Sequence, residues 1–267
     1  MVATPVAGNA DVRAFFDRLA ATYSEQHGHA QRLLSYRLSL VRAHGHLRAD
    51  DAVLDLGCGM GHHLQALAPE IASGVGVDLS PRMIDVARAR LADSPGGERL
   101  RFEVLDAQEL EAGAAAVGID PGSIDLALCI GALEHMLDKR AVLSGVHHLL
   151  APGGRLFCLM PSGDYVWYRR LAPLLGYATK HLSTDVFPTE SELRALLAGV
   201  GFTRVETGPW TFIPRGDMPW LLGLVLRALD IAGRWFGVRG WRGGQWVCAW
   251  KENRQEARAA VPTPARA

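Results

Sequence analysis

Cysteine is scarce: the 267 residues hold only Cys58, Cys129, Cys158 and Cys248, widely spaced. No Cys-x-x-Cys pair and no Cys/His cluster occurs, which excludes a zinc site of ordinary spacing and a disulfide framework. Three of the four fall in strand-like runs and Cys58 follows one, where a thiol serves as a small hydrophobe. A reducing compartment is the simple reading. Net charge is missing too, because 28 basic residues balance 28 acidic ones. Without a net positive charge the chain has no global pull toward phosphate backbones, so no nucleic-acid partner is expected. No stretch reaches the roughly 18 uninterrupted apolar residues of a membrane-spanning helix. Met1–Asn9 has neither a basic start nor an apolar stretch, so no secretory signal is expected and the chain is assigned to the cytoplasm. No internal repeat is visible.

What is present is an alternation. Hydrophobic residues make up 49% of the chain, enough for a sizeable core in one large domain. Apolar runs at Ala52–Leu56, Val75–Val77, Arg101–Leu105, Ile124–Ile130 and Arg155–Met160 read as strands. Helical spacing marks Asp11–Tyr23, Gln31–His44, Met83–Leu91 and Asp138–Leu150, the last closed by Ala-Pro-Gly-Gly. Strands that are apolar throughout, separated by helices, predict a parallel sheet covered on both faces. Further on, Pro188–Val200 is a predicted helix whose Thr189 and Glu192 form a capping box. Phe202–Thr207 and Gln245–Lys251 are predicted as the sixth and seventh strands. Residues 1–10 and 253–267 are small, polar or Ala/Arg/Pro-rich and are expected to be disordered.

The segment richest in chemistry is Val53-Leu54-Asp55-Leu56-Gly57-Cys58-Gly59-Met60-Gly61. A buried strand runs into alternating glycines and then a helix. Glycine permits a tight turn and lets a ligand lie against bare main chain, and the helix start offers free N–H groups. The dinucleotide fingerprint requires another glycine three places after Gly59, and that place holds His62. With Asp55 alongside, the loop suits a zwitterion, its carboxylate toward N–H groups and its ammonium toward an acid. Asp78 closes the second strand, where its two oxygens could accept both hydroxyls of a ribose. Asp106-Ala107-Gln108 follows the third strand, where a short acid could take an adenine amino group and the next N–H a ring nitrogen.

These residues resemble class I S-adenosylmethionine-dependent methyltransferases. Val53–Gly61 is similar to the first motif of that family, Asp78 to the second and Asp106-Ala107 to the third. Ile130–Met136 looks like the segment after the fourth strand in the small-molecule branch. Phe16–Tyr23 resembles the N-terminal helix of the ubiquinone/menaquinone-biosynthesis type. The resemblance implies an α/β, Rossmann-like, seven-stranded, mostly parallel sheet of order 3-2-1-4-5-7-6. It implies a single methyltransferase domain over 11–252, with an N-terminal helical cap at 11–45 and substrate-lid inserts at 161–187 and 209–244. It implies S-adenosylmethionine as cofactor, S-adenosylhomocysteine as product, and a pocket lined by Tyr23, Asp55, Gly57, Cys58, Gly59, Gly61, Asp78, Leu79, Met83, Asp106, Ala107, Gln108 and Ile130. The acceptor expected is a small, largely apolar molecule, and the assembly a monomer or homodimer.

Methyl transfer from a sulfonium asks the protein mainly for alignment and for exclusion of water. A phenol, enol or carboxylate acceptor adds the need for a base. His135, after the fourth strand, is the first candidate, and His181, near Tyr165, Tyr168 and Tyr177, the second. The plainer reading of His135 is a pocket wall or helix cap. His62-His63 lacks a carboxylate or cysteine at matching spacing, so no metal is expected. The amino-methylating signature Asn/Asp-Pro-Pro-Tyr is absent after the fourth strand, where Ile-Gly-Ala-Leu stands. Two other readings compete: a cofactor-binding protein of this fold without turnover, and an NAD-dependent oxidoreductase, against which His62 and Asp106-Ala107 speak.

The insert at 209–244 contains the apolar run 218–226, followed by Arg227, Asp230 and Arg234 at spacings that would place them on one helical face, able to pair. A helix this apolar must bury most of its surface. Packing against the sheet and a lid over the substrate are the leading expectations, with a membrane-surface contact through 218–238 as the third. The charges and Gly223 and Gly233 speak against a span.

Overall fold

The computed structural model describes residues 3–20, 30–177, 179–213 and 220–253. Strands β1 (Ala52–Leu56), β2 (Ser73–Asp78), β3 (Leu100–Val104), β4 (Ile124–Ile130), β5 (Leu150–Pro161), β6 (Phe202–Trp210) and β7 (Gly244–Lys251) form one sheet in the expected order 3-2-1-4-5-7-6. The first five strands are mutually parallel, and β7 runs antiparallel between β5 and β6. Helices α1 (Asn9–Leu19), α2 (Ala30–His44), α3 (His62–Leu67), α4 (Pro81–Ala89), α5 (Lys139–Leu149), α6 (Glu190–Gly199) and α7 (Trp220–Phe236) surround it.

The apolar strands are explained by two cores, one on each face. Leu126, Leu128 and Ile130 of β4 pack with Leu38 and Val41 of α2, Leu64 of α3 and Ile84 of α4. Ala127 and Cys129, the alternate positions, pack with Val142 and Val146 of α5 and Leu193 of α6. A strand between two helical layers has no polar face to display, which is why no alternation was visible. The capping box of α6 is present, Thr189 receiving the N–H of Glu192 while Glu192 receives that of Thr189.

Strand β5 begins earlier than expected. Leu150 already pairs with Ile124, and the ladder then shifts register before Arg155 meets Leu126. Gly153, at φ 78°, supplies the irregular residue, so the Ala-Pro-Gly-Gly stop is a bulge inside the strand rather than a loop before it. Arg155 is fully buried and binds Asp51, at 2.5 Å, and the carbonyl of Gly45, at 2.9 Å, tying the end of α2 to the sheet.

Three expectations need correction. Residues 3–10 are ordered rather than disordered: the Thr4 N–H donates to the His181 carbonyl, the Ser183 N–H returns to Thr4, and α1 starts at Asn9. Arg227, Asp230 and Arg234 do not pair with one another. Asp230 turns inward, where Arg242 Nε and Thr211 Oγ1 donate to it at 2.8 Å, while both arginines stay on the exposed side. Of the insert, Trp210 reaches the main core, but helix α7 does not pack into it, since Leu226 is the helix's one fully buried large apolar side chain. Leu226 joins Tyr165, Trp167 and Ala172 in a small separate cluster, so α7 lies beside the aromatic segment 165–177. Met218 and Pro219 lie outside the described residues. No helix among the described residues is long and apolar enough to cross a membrane.

Candidate functional site

The carboxyl ends of β1 to β4 converge on a cavity of about 230 Å³. Each strand delivers its functional residues for a local reason. After β1 the chain must turn back into α3 within a few residues, and Gly57, Gly59 and Gly61 all take positive φ to do so. A Cβ on Gly57 would lie 2.5 Å from the Ala132 side chain, and one on Gly61 would lie 2.5 Å from the Phe102 ring. At Gly59 nothing stands within 4 Å, so its bare backbone faces open space. Gly61 caps α3 and is not itself part of the cavity wall, whereas Gly57, Cys58 and Gly59 are.

Asp78 ends β2 and clamps this loop. Gly59 N–H donates to one carboxylate oxygen at 2.9 Å and Ser80 N–H to the other at 2.8 Å. Each oxygen keeps a second lone pair for a ligand. Burial pushes the Asp78 carboxyl above its ordinary range, and these two hydrogen bonds oppose the shift. After β3, Asp106 accepts the Gln108 N–H at 2.9 Å and the side-chain amide of Asn9, which brings the start of α1 onto the cavity. Leu79, Met83, Asp106, Ala107, Gln108 and Ile130 all line the wall.

Asp55 is different. It is buried within β1, outside the cavity wall, and its Oδ2 has no hydrogen-bond partner. Desolvation, with the charge of Asp78 added, pushes its carboxyl up to about 8. Tyr23 lies outside the described residues. Two further helices close the cavity: Val12 and Phe16 from α1, and Leu33, Leu34 and Arg37 from α2.

His135 follows β4 and faces the same cavity. Its Nδ1 lies 2.7 Å from Asp185 Oδ1, and Asp185 is fully buried. The other Asp185 oxygen accepts the N–H groups of His181 and Leu182, each at 2.9 Å. Burial alone would lower the His135 imidazole, but the hydrogen bond to Asp185 and the charge of Glu134 raise it above its ordinary value. The same contact, with the two backbone N–H groups, holds Asp185 below the usual carboxylate range against its own desolvation. His181 stands outside the cavity wall, its ring 6.3 Å from that of His135, and its segment supplies the turn that binds Asp185. Among the described residues no group of three His, Cys, Asp or Glu side chains is placed to hold a metal ion.

Sequence reasoning missed Asp185, Asn9 and Arg37. Asp185 sits in a segment with no motif, 50 residues beyond its partner, and only the N-terminal pairing of Thr4 with Ser183 hints at why that segment is held in place. None of the residues lining the cavity comes from 161–187 or 209–244, so among the described residues the wall opposite the glycine loop is built by α1 and α2.

Comparison with known proteins agrees with this geometry. A family described as a methyltransferase domain matches residues 54–156. The chain is 35% identical over 169 residues to a ubiquinone biosynthesis O-methyltransferase of Xanthomonas euvesicatoria, covering 61% of this chain and 66%, just under two thirds, of that relative. It is 30% identical over 177 residues to a demethylmenaquinone methyltransferase of Thermus thermophilus, covering 58% of this chain and 76% of the relative. Among solved structures, the [4+2]-cyclase SpnF superposes with a TM-score of 0.68 at 18% identity, over 94% of this chain and all of that one. A methyltransferase of Thermotoga maritima, possibly acting on histamine nitrogen, superposes at 0.63 and 16% identity over 90% of this chain and 99% of its own. At such identities the structures speak for the fold alone, while the Thermus relative carries the kinship: this chain belongs to the class I S-adenosylmethionine-dependent methyltransferases and resembles their quinone-biosynthesis members.

Proposed function

We propose that this chain transfers the methyl group of S-adenosylmethionine to an oxygen, carbon or nitrogen of a small, largely apolar acceptor, without a metal and with His135 as the base. The observation that carries the reading is that a glycine loop with bare backbone, the Asp78 carboxylate and the His135–Asp185 pair all open on one cavity.

The residues present fit the cofactor. Open space over Gly59 admits a group that any side chain there would exclude. Asp55 lies buried behind the wall with its Oδ2 unpartnered, a polar group that an amino-acid ammonium would meet directly or through water. Asp78 would hold the ribose and Asp106 with Ala107 the adenine, while Met83 and Ile130 supply apolar wall. When bound, the cofactor supplies a methyl group already activated by its positive sulfur. The chain's own task is to position the acceptor, exclude water and remove a proton.

Asp185 fixes the His135 ring by its Nδ1, which leaves Nε2 as the nitrogen free to take a proton from the acceptor. The charge of buried Asp185 then stabilises the imidazolium that results. Val12, Phe16, Leu33, Leu34 and Met136 make much of the remaining wall apolar, which supports an acceptor with little polar surface.

The test is incubation with S-adenosylmethionine and a panel of phenols, quinols and aliphatic acceptors, reading both S-adenosylhomocysteine and methylated product. Methylated product unaffected by a chelator supports the reading. Tight cofactor binding with no product from any acceptor class would favour the binding protein without turnover, and activity that requires added magnesium would overturn the metal-free step.

A further inference from the structure

Helix α7 is built the wrong way round for a helix in water. Its inward side carries Leu226, Asp230 and Gly233, and so buries a charge. Its outward side is apolar: Trp220 is 73% exposed, Trp235 82% and Phe236 78%, with Leu224 and Ile231 exposed between them. At 100° per residue, Trp220, Leu224, Ile231 and Trp235 fall in one stripe, and Arg227 and Arg234 lie along one border of it. The polarity is locked in this sense, because Asp230 is held by Arg242 and Thr211 and cannot turn outward without losing both.

The neighbouring segment adds to the same character. Trp167 and Ala172 pack against Leu226, and just beyond them Leu174 is 81% exposed and Leu175 is exposed as well. Arg170 and Lys180 are exposed there, and residues 165–180 include no acid at all. On α7 the one acid is the buried Asp230. The exposed charges on these two segments are therefore all basic.

We propose that α7 is a docking face for an anionic lipid surface, lying in the plane of the headgroups with its tryptophans and leucines inserted. An exposed apolar stripe of this size needs a cover, and its basic border selects the cover by charge. A stripe of Trp, Leu and Phe edged by arginine is what an interfacial helix requires, the apolar side entering the acyl boundary and the cations meeting lipid phosphates. A second copy of this chain would bring the same basic border and so face like charges across the contact. The helix is too short and too charged to span. Because α7 is tied through Asp230 and Thr211 to Tyr36 of α2, whose Oη accepts the Thr211 N–H at 3.1 Å, the docked face connects to the helix that walls the cavity. The inference stands independently of the acceptor, since cofactor affinity is read separately.

The experiment is co-sedimentation of the full chain with phosphatidylcholine vesicles, with and without phosphatidylglycerol. Binding to the anionic vesicles, weakening as salt rises, is expected. Leu224→Ser combined with Trp235→Ser should lower the partition coefficient by roughly tenfold or more while S-adenosylhomocysteine affinity and the thermal midpoint hold. Arg227→Gln and Arg234→Gln should each lower it about fivefold on anionic vesicles only. The arginine variants lie wholly on the surface, so they keep the test open should the double apolar variant fail to fold. Absence of binding to either vesicle would overturn the proposal. So would binding that ignores all four substitutions, or a concentration-dependent dimer in the vesicle-free sample that the apolar variant dissociates, which would assign the stripe to a second copy.

Discussion

The edge formed by β1 to β4 and the insert containing α7 handle polarity in opposite ways. At the strand ends, Asp78 and His135 line one cavity, with Asp55 and Glu134 buried outside its wall. In the insert a single acid is drawn inward and neutralised, and the apolar side chains are left outside. Buried charge serves a different end in each. Asp55 lacks a partner at Oδ2 and so presents a demand that a ligand can meet. Asp230 has every demand met by Arg242 and Thr211, and so serves only to fix which way the helix faces. An unsatisfied buried group points to a ligand, and a satisfied one to a structural constraint.

Substitutions in the two regions test that contrast, beginning with the largest expected effect. His135→Ala should lower saturated turnover by about a hundred- to ten-thousandfold while leaving cofactor affinity unchanged. The base must be unprotonated, and Asp185 raises its pKa, so turnover should climb with pH through a midpoint above the ordinary imidazole range. Asp185→Asn should move that midpoint down. A normal saturated rate with weakened affinity would make His135 a cavity wall. Asp230→Ala removes one partner of a buried pair and strands Arg242, at a cost of about 3–5 kcal/mol in unfolding free energy, measured by denaturant titration. An unchanged midpoint there would erase the distinction between the two regions.

Asp78→Ala should weaken S-adenosylhomocysteine binding by about 1.5–3 kcal/mol in calorimetry, with the fold retained. Asp55 sharpens the comparison through pH. Its carboxyl lies at about 8 in the folded chain against an ordinary value near 4. Between those values the folded state holds a proton that the unfolded state has released, so stability falls as pH rises, by at most about 1.4 kcal/mol per pH unit. Asp55→Asn should flatten that slope, and a slope unchanged from the parent would refute the assignment. The smallest effect is expected at Leu224→Ser, where an exposed position on α7 should move stability by no more than about 0.5 kcal/mol. A larger loss would show the stripe to be packed against protein.

Much of this was legible because it is local. Three glycines within five residues are demanded by a strand that turns into a helix at once, and strand-end acids announce themselves by following apolar runs, so Gly57, Gly59, Asp78 and Asp106 could be named and placed from the chain alone. The strand order came with the family resemblance those motifs carried, and the sheet agrees with it. What could not be read depends on packing across distance. Asp185 meets His135 over 50 residues, and Asp230 chooses Arg242 over the nearer Arg227 and Arg234. Helical periodicity tells which side chains share a face, but not which face turns inward when one side offers a charge and the other a row of hydrophobes. That choice falls to the partners waiting beneath: Leu226 and Gly233 fit against the aromatic segment and Trp241, and a guanidinium stands ready for the one acid. Only the folded chain brings those partners into place.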